Sequence, residues 1–225
     1  MEALELERRI KLARIEKFSK LSLDGNELTR LSVNIVNITS LRELSLHNNK
    51  LSQLPDRMGN LSQLEKLCVG LNQLNILPES IGNLSKLRHL NLSGNQLHFL
   101  PESIGNLSKL TALYLRSNQL DSLPKSLCSL SKLSTLDLGA NKFDNLPENI
   151  CKLPNLEYLD LSGNNLNSLP VAICHLSSLI TINLSDNPLT DLSIVKNIPN
   201  LQSLRFFGVD LPHRYWTKLS DWKSE

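Results

Sequence analysis

The sequence predicts an α/β solenoid in which stacked repeats form one parallel β-sheet on the inner, concave side and short helical turns on the outer, convex side. Three observations lead to this prediction: a repeat of constant length, an alternating leucine pattern in each repeat, and a return segment that contains proline. Such a period outweighs the usual estimate of domain number from a length of 225 residues, because repeats stack linearly around one continuous core.

The repeat units begin at intervals of 23 residues, and only the eighth unit is shortened, to 22. Aligning the chain on the first large apolar residue of each unit gives eight starting points, and positions within a unit are counted from them: Phe18, Leu41, Leu64, Leu87, Leu110, Leu133, Leu156 and Leu179. We therefore predict a capping helix in residues 1–17, eight repeats in 18–200, and a partial ninth repeat with an aromatic C-terminal cap in 201–225.

The first half of each unit reads L-x-x-L-x-L-x-x-N-x-L, as in LEYLDLSGNNL at residues 156–166. The alternation of Leu159 and Leu161 predicts a short strand with its leucines on one side. A single strand cannot bury that side, but stacked units share a core in which each fully buried Leu contributes roughly 1.5 to 3 kcal/mol.

An asparagine occupies the ninth position of every unit. Its amide both donates and accepts hydrogen bonds, so a stacked ladder of these residues can satisfy backbone groups that the turn after the strand leaves unpaired. The ladder comprises Asn26, Asn49, Asn72, Asn95, Asn118, Asn141, Asn164 and Asn187.

The second half begins with Leu-Pro in six of the eight units, and in its most regular form it reads L-P-x-x-I-G-x-L, as in residues 77–84. Proline has a fixed φ and no N–H, which favours an irregular return, and we predict short helical or 3₁₀ turns there. Six prolines share this position: Pro55, Pro78, Pro101, Pro124, Pro147 and Pro170.

Both ends depart from the repeat, because terminal units would otherwise expose their core. Leu6, Ile10 and Ala13 have helical spacing, which predicts an amphipathic helix over residues 2–15. Large aromatic rings follow residue 205, and we expect them to cover the last repeat: Phe206, Phe207, Tyr215, Trp216 and Trp222.

The recurrence of both half-patterns over residues 18–200 resembles the leucine-rich repeat family, in particular its intracellular members with 23-residue L-P-x-x-I-G-x-L repeats. The resemblance implies a right-handed, horseshoe-shaped solenoid. It also implies that function lies on the concave parallel sheet.

Charge and cysteine content restrict the environment and the partners. The formal net charge of +2 gives no general attraction to nucleic acid or to an acidic membrane surface, and no apolar run approaches the roughly 18 to 20 residues that span a bilayer. The four cysteines lack the clustered pairs of secreted repeat domains, which predicts a cytoplasmic protein. Several Asn-x-Ser triplets recur at one repeat position, and we attribute them to repeat structure rather than to glycosylation.

Catalytic motifs are absent from the sequence: it has no P-loop, no H-E-x-x-H, no G-x-S-x-G and no C-x-x-C. Cys128, Cys151 and Cys174 share position 19 and could bind a soft metal or oxidise. Because earlier units have glycine there, we interpret the cysteines as small buried residues. We predict no enzymatic activity, cofactor, metal or small-molecule substrate.

A binding surface is expected at positions three, five, seven and eight, which the concave sheet exposes and which vary between units. Tyr114, Arg116 and Tyr158 are the predicted anchors, because Tyr and Arg are enriched in binding hot spots. In the alternative interpretation these are solvated strand residues, with Arg116 paired to Asp137. The full candidate set is His47, Leu71, His89, Asn91, Tyr114, Arg116, Asp137, Tyr158 and Asp160.

The leading hypothesis is a monomeric protein–protein interaction module that binds a protein or peptide ligand on this face. One alternative is the sensor or substrate-recruiting part of a larger signalling enzyme, such as a GTPase, a kinase or a ubiquitin ligase. Another is a secreted bacterial effector that mimics a host adaptor.

Overall fold

The computed structural model describes residues 3–209, which contain nine short strands in a single parallel sheet, ordered as in the chain. Each strand pairs with the next at a displacement of 23 residues along most of the sheet, as in the register of Leu44 with Leu67. The strands are β1 (Lys20–Ser22), β2 (Glu43–Ser45), β3 (Lys66–Cys68), β4 (His89–Asn91), β5 (Ala112–Tyr114), β6 (Thr135–Asp137), β7 (Tyr158–Asp160), β8 (Thr181–Asn183) and β9 (Ser203–Arg205). The predicted solenoid with a parallel sheet is confirmed.

The middle residue of each strand points into the core, and its two neighbours point away from it. Leu67, Leu90 and Leu113 are fully buried, as are position-six leucines such as Leu92 and Leu115. The side chains at positions three and five therefore form the opposite, concave face of the sheet.

The convex side consists of short 3₁₀ turns, as the return segment predicts. They span Val33–Asn37, Met58–Asn60, Glu79–Asn83, Glu102–Asn106, Lys125–Ser129, Ile150–Lys152, Val171–His175 and Ser193–Asn197. Pro78, Pro101, Pro124 and Pro170 each precede a turn with φ between −68° and −61°. Because the proline ring already fixes φ near this value, the backbone loses little conformational entropy when it adopts the extended conformation before each turn.

Position 19 has little room for a side chain in the early units. A Cβ on Gly82 would lie 2.3 Å from the backbone oxygen of Ser103, so glycine allows the two turns to approach closely. Later units have cysteine at this position; Cys151 is buried as predicted, whereas Cys128 and Cys174 are only partly buried. Burial raises the pKa of the Cys151 thiol to about 11, which keeps it protonated and unreactive at neutral pH. All four cysteines are free thiols.

The asparagine ladder forms as predicted. The amide of Asn72 donates to the backbone oxygens of Leu46 and Val69 at 2.9 and 3.0 Å, and its Oδ1 accepts from the backbone N–H of Leu51 at 3.0 Å. One buried side chain thus joins two consecutive units and satisfies three backbone groups that water cannot reach.

An α-helix, α1 (Ala3–Ile15), covers the first repeat and buries Leu6, Ile10 and Ala13. At the other end Phe206 packs against the core, whereas Phe207 is 84% exposed, so only one of these two rings covers the last repeat. The remaining predicted cap residues, Tyr215, Trp216 and Trp222, lie outside the described residues. No helix in the described part of the chain is long and apolar enough to cross a membrane.

Candidate protein-binding surface

The candidate residues lie on the concave face, at strand positions three and five, and on its rim, at positions seven and eight. Tyr114, Asp137 and Tyr158 are half-buried between neighbouring strands, and His89 is exposed. Tyr114 lies beside Asn91 on one side and beside Asp137 on the other. The centre of the face is therefore a continuous set of side chains contributed by β4 to β7.

Arg116 reaches across two repeats. Its Nη1 donates to Ser162 Oγ at 3.1 Å and lies 3.8 Å from Asp160 Oδ2. The guanidinium passes over Gly139, where a Cβ would lie only 2.3 Å from Nη1. The alternative pairing of Arg116 with Asp137 is therefore wrong: the ion pair skips one strand, because glycine leaves the intervening position open.

Asp160 is the most enclosed acidic residue of the face, being 5% exposed, although its position suggested a solvent-facing side chain. It accepts from the backbone N–H and hydroxyl of Ser162 at 2.8 and 2.6 Å, and from Asn183 Nδ2 at 3.0 Å. Burial alone would raise its pKa, but these hydrogen bonds and the charge of Arg116 together hold the pKa below its ordinary value. Asp160 thus orders its neighbours and has little capacity left for a ligand.

Asp137 occupies the same position on the adjacent strand but has fewer partners. Its Oδ1 accepts from the backbone N–H of Gly139 at 3.0 Å, and Oδ2 receives no hydrogen bond from the described residues. Burial, and secondarily the like charge of Asp160, raise the pKa of Asp137 above its ordinary value. Of the two carboxylates, Asp137 is the one available to a ligand.

The side chain of Tyr158 is anchored to Asp160. Its hydroxyl donates to Asp160 Oδ2 at 3.2 Å, which fixes the ring in the face. Burial and the nearby Asp160 raise the pKa of Tyr158, so the phenol stays protonated.

Two rim residues of the N-terminal half also rest on glycines. His47 lies against Gly70, and Leu71, which is 53% exposed, lies against Gly94. A long side chain followed 23 residues later by glycine is thus the sequence signal for a rim residue that leans over the next unit. The same signal, Arg116 followed 23 residues later by Gly139, indicates the reach of Arg116.

A shallow groove of about 520 Å³ occupies the N-terminal half of the face. Within it Lys20 pairs with Glu43 at 2.6 Å, and Arg42 pairs with Glu65 at 3.1 Å. The lining residues are Ser19, Lys20, Arg42, Glu43, Glu65, Lys66, Cys68, Arg88, His89, Asn91 and Tyr114.

Two exposed cations in this groove, Lys66 and Arg88, make no ion pair with any residue between 3 and 209. The sequence alone does not distinguish them from the paired cations. Which charges neutralise one another depends on side-chain geometry across the strands.

An open sheet that presents exposed side chains on a curved repeat scaffold defines a class of protein, the solenoids that typically serve as binding modules. The chain belongs to the leucine-rich repeat family. A family model described as "Leucine rich repeat" matches residues 39–97 and 131–189, and one described as "Leucine-rich repeat region" matches residues 75–143. No curated protein matches the chain at a significant level.

Solved structures share the fold. A leucine-rich repeat protein of Leptospira interrogans is 32% identical with a TM-score of 0.79, over 89% of this chain and 58% of that protein. The ectodomain of the receptor kinase GASSHO1/SCHENGEN3 from Arabidopsis thaliana, in complex with Casparian strip integrity factor 2, is 35% identical with a TM-score of 0.70, over 80% and 23%. The effector YopM from Yersinia pestis is 26% identical with a TM-score of 0.73, over 92% and 54%. This chain thus spans less than two thirds of the length of each.

Proposed function

We propose that this chain is a protein–protein interaction module that binds a protein or peptide on its concave face, as a monomer and without a chemical step. The supporting observation is the central cluster, in which Tyr114, Tyr158 and Asp137 surround the fixed pair of Arg116 and Asp160. Large amphipathic rings held in place before binding lose little conformational entropy on association, and such residues dominate binding energy in protein interfaces.

The nature of the ligand follows from the shape of the face and from related structures. The described concave face is an open groove on a sheet of nine strands, and it offers an elongated surface to a chain. The plant receptor ectodomain was solved with its bound factor, which supports a protein or peptide as the ligand class here.

The test uses peptides selected from a displayed library of random linear dodecapeptides against the immobilised full chain. The double variant Tyr114→Ala/Tyr158→Ala should weaken binding of the selected peptides at least about tenfold, since each anchor is expected to contribute more than about 1 kcal/mol. The matched control is Ile76→Ala/Phe99→Ala, which removes two exposed apolar side chains from the turns outside the concave face. Equal affinity of the wild-type chain and the tyrosine double variant for every selected peptide would overturn the proposal.

We also propose a cytoplasmic location, supported by the four free and separated thiols. An intrachain or interchain disulfide in protein alkylated and isolated from its native cells would contradict this location.

A further inference from the structure

Unpaired side chains of opposite charge lie in different halves of the concave face. Lys66, the first residue of β3, and Arg88, which directly precedes β4, are exposed and lack an acidic partner among residues 3–209. The two acidic residues that line the same groove, Glu43 and Glu65, are already paired with other cations. Uncompensated positive charge therefore lies in the groove of the N-terminal half.

The C-terminal half of the face has an excess of acidic side chains, although β9 also carries the exposed cation Arg205. Arg116 is engaged with Asp160 and Ser162, so it does not neutralise Asp137 by direct contact. Asp137 keeps one carboxylate oxygen without a hydrogen bond from the described residues. Glu157 on the neighbouring unit is exposed and likewise makes no ion pair within 3–209.

We propose that the concave face selects an extended peptide of segregated charge, with an acidic side chain at Lys66 and Arg88 and a basic side chain at Asp137. This inference rests on the proposed function and specifies the ligand chemistry of the same face. Tyr114, on the strand between the two charged sites, contacts the residues between the two peptide charges.

The separation of the two sites sets the spacing in the peptide. Three strand spacings separate β3 from β6, and at about 4.8 Å each they amount to about 14 Å in the direction across the strands, which is the component that a peptide running across the sheet has to cover. An extended chain advances about 3.3 Å per residue, so about four residues cover this distance. Residues i and i+4 of an extended chain point to the same side, and both charged side chains can therefore face the sheet.

The divided charge argues against a ligand of uniform sign. A polyanion would be attracted at Lys66 and Arg88 but repelled at Asp137 and Glu157, and a uniformly basic peptide would meet the reverse arrangement. A mixed-charge peptide satisfies both ends in one orientation and is disfavoured in the other. Charge complementarity thus selects both the charge pattern of the peptide and the direction in which the peptide binds.

The experiment is the dodecapeptide selection, followed by sequencing and by affinity measurement with individual synthetic peptides. Peptides that require Tyr114 should be enriched in Asp or Glu four residues from Lys or Arg, relative to the unselected library. Lys66→Glu/Arg88→Glu should weaken the selected peptides at least about tenfold and should itself select a base in place of the acid. Asp137→Asn, which keeps the hydrogen bond to Gly139, should abolish enrichment of the basic position only.

The matched control is Lys109→Glu/Lys132→Glu, which makes the same charge change at exposed lysines of the unit ends. It should leave both the enrichment and the affinities unchanged. Peptides that depend on Tyr114 but lack the charge pair, or that bind the reversed variant equally, would overturn this inference and leave the proposed function intact. Selected peptides that bind independently of the concave face would overturn both.

Discussion

Asp137 and Asp160 occupy the same repeat position on adjacent strands, yet the protein shifts the pKa values of the two carboxyl groups in opposite directions. Both follow a leucine on adjacent strands, in T-L-D-L-G and Y-L-D-L-S. Two residues later one unit has Gly139 and the other has Ser162, whose hydroxyl donates to Asp160 and accepts from Arg116. The Ser162 hydroxyl, together with Asn183 and Arg116, lowers the pKa of Asp160, whereas burial raises the pKa of Asp137, which has no such set of partners.

Neutralising each carboxylate should therefore have different effects on stability. Asp160→Asn should lower the free energy of unfolding at pH 7 by about 1 to 3 kcal/mol, because an amide loses the charge-assisted bonds and places a donor against other donors. Asp137→Asn should change it by less than about 0.5 kcal/mol. Asn91 and Asn183 occupy the same position in other units and accept the same backbone hydrogen bond. Equal losses in urea-induced unfolding of the two variants would contradict this assignment.

The pH dependence of these variants follows from the directions of the two pKa shifts. Asp160 has a lowered pKa in the folded state, so its stabilisation is present above the unfolded pKa and is lost as pH falls through the folded pKa. Asp137 has a raised pKa, so ionising it costs stability as pH rises through the folded pKa. The penalty of Asp160→Asn should therefore shrink on acidification, and any gain from Asp137→Asn should shrink as well.

Among individual residues, the contacts that can be predicted from the sequence are those that recur in every repeat. The ladder contacts of Asn72 follow from its position alone, because the same turn recurs in every unit. The reach of Arg116 depends on side-chain length and on an empty site at Gly139, and the burial of Asp160 depends on Arg116, Ser162 and Asn183 together. Such combinations across units are not visible in the pattern of any single unit.

At the scale of elements, α1 closes the first repeat through one face only. Ile10 and Ala13 are almost fully buried, whereas Leu12 on the same helix is 51% exposed. Arg9 donates to the backbone oxygen of Ser22 at 2.9 Å, which ties the helix to the end of β1. The helix therefore protects apolar residues of the first unit that would otherwise face water.

Substitutions on the two faces of α1 should differ sharply. Ile10→Asp should lower the free energy of unfolding by about 3 kcal/mol or more, because it places an unpaired charge in the core. Leu12→Asp is the matched control, with the same new residue at an exposed site, and should change stability by less than about 0.5 kcal/mol. The measurement is urea-induced unfolding followed by circular dichroism, and similar midpoints for the two variants would exclude a capping role for α1.

The elements were largely predictable because each has a period of its own. Helical spacing predicted a helix over residues 2–15, and the structure has it at Ala3–Ile15. The prolines predicted the convex turns, which are 3₁₀ helices of three to five residues. The covering role of the aromatic rings was less predictable: Phe206 and Phe207 are adjacent, and composition does not tell which ring turns inward.

At the scale of the whole molecule, most bonds join a unit to its immediate neighbour. The side chain of Asn95 accepts from Leu74 in the preceding unit and donates to Val69, and the strands pair only with those next in the chain. On the described part of the concave face, the hydrogen bond from Arg116 to Ser162, which reaches over two units, is an exception. Stability should therefore be close to a sum of repeat and nearest-neighbour terms.

Removal of one whole unit tests this additivity. Deletion of residues 87–109 joins units that preserve the contacts between neighbours: Gly82, which now packs on Ser103, would pack on Ser126, the present neighbour of Gly105. The shortened chain should fold cooperatively with a lower melting temperature and an m-value about one ninth smaller, since m follows the area exposed on unfolding and nine strands share the sheet. Deletion of residues 87–98 removes about half a unit, destroys the register, and should leave no cooperative transition. Equal behaviour of the two deletions would show that the 23-residue period does not set the structural unit.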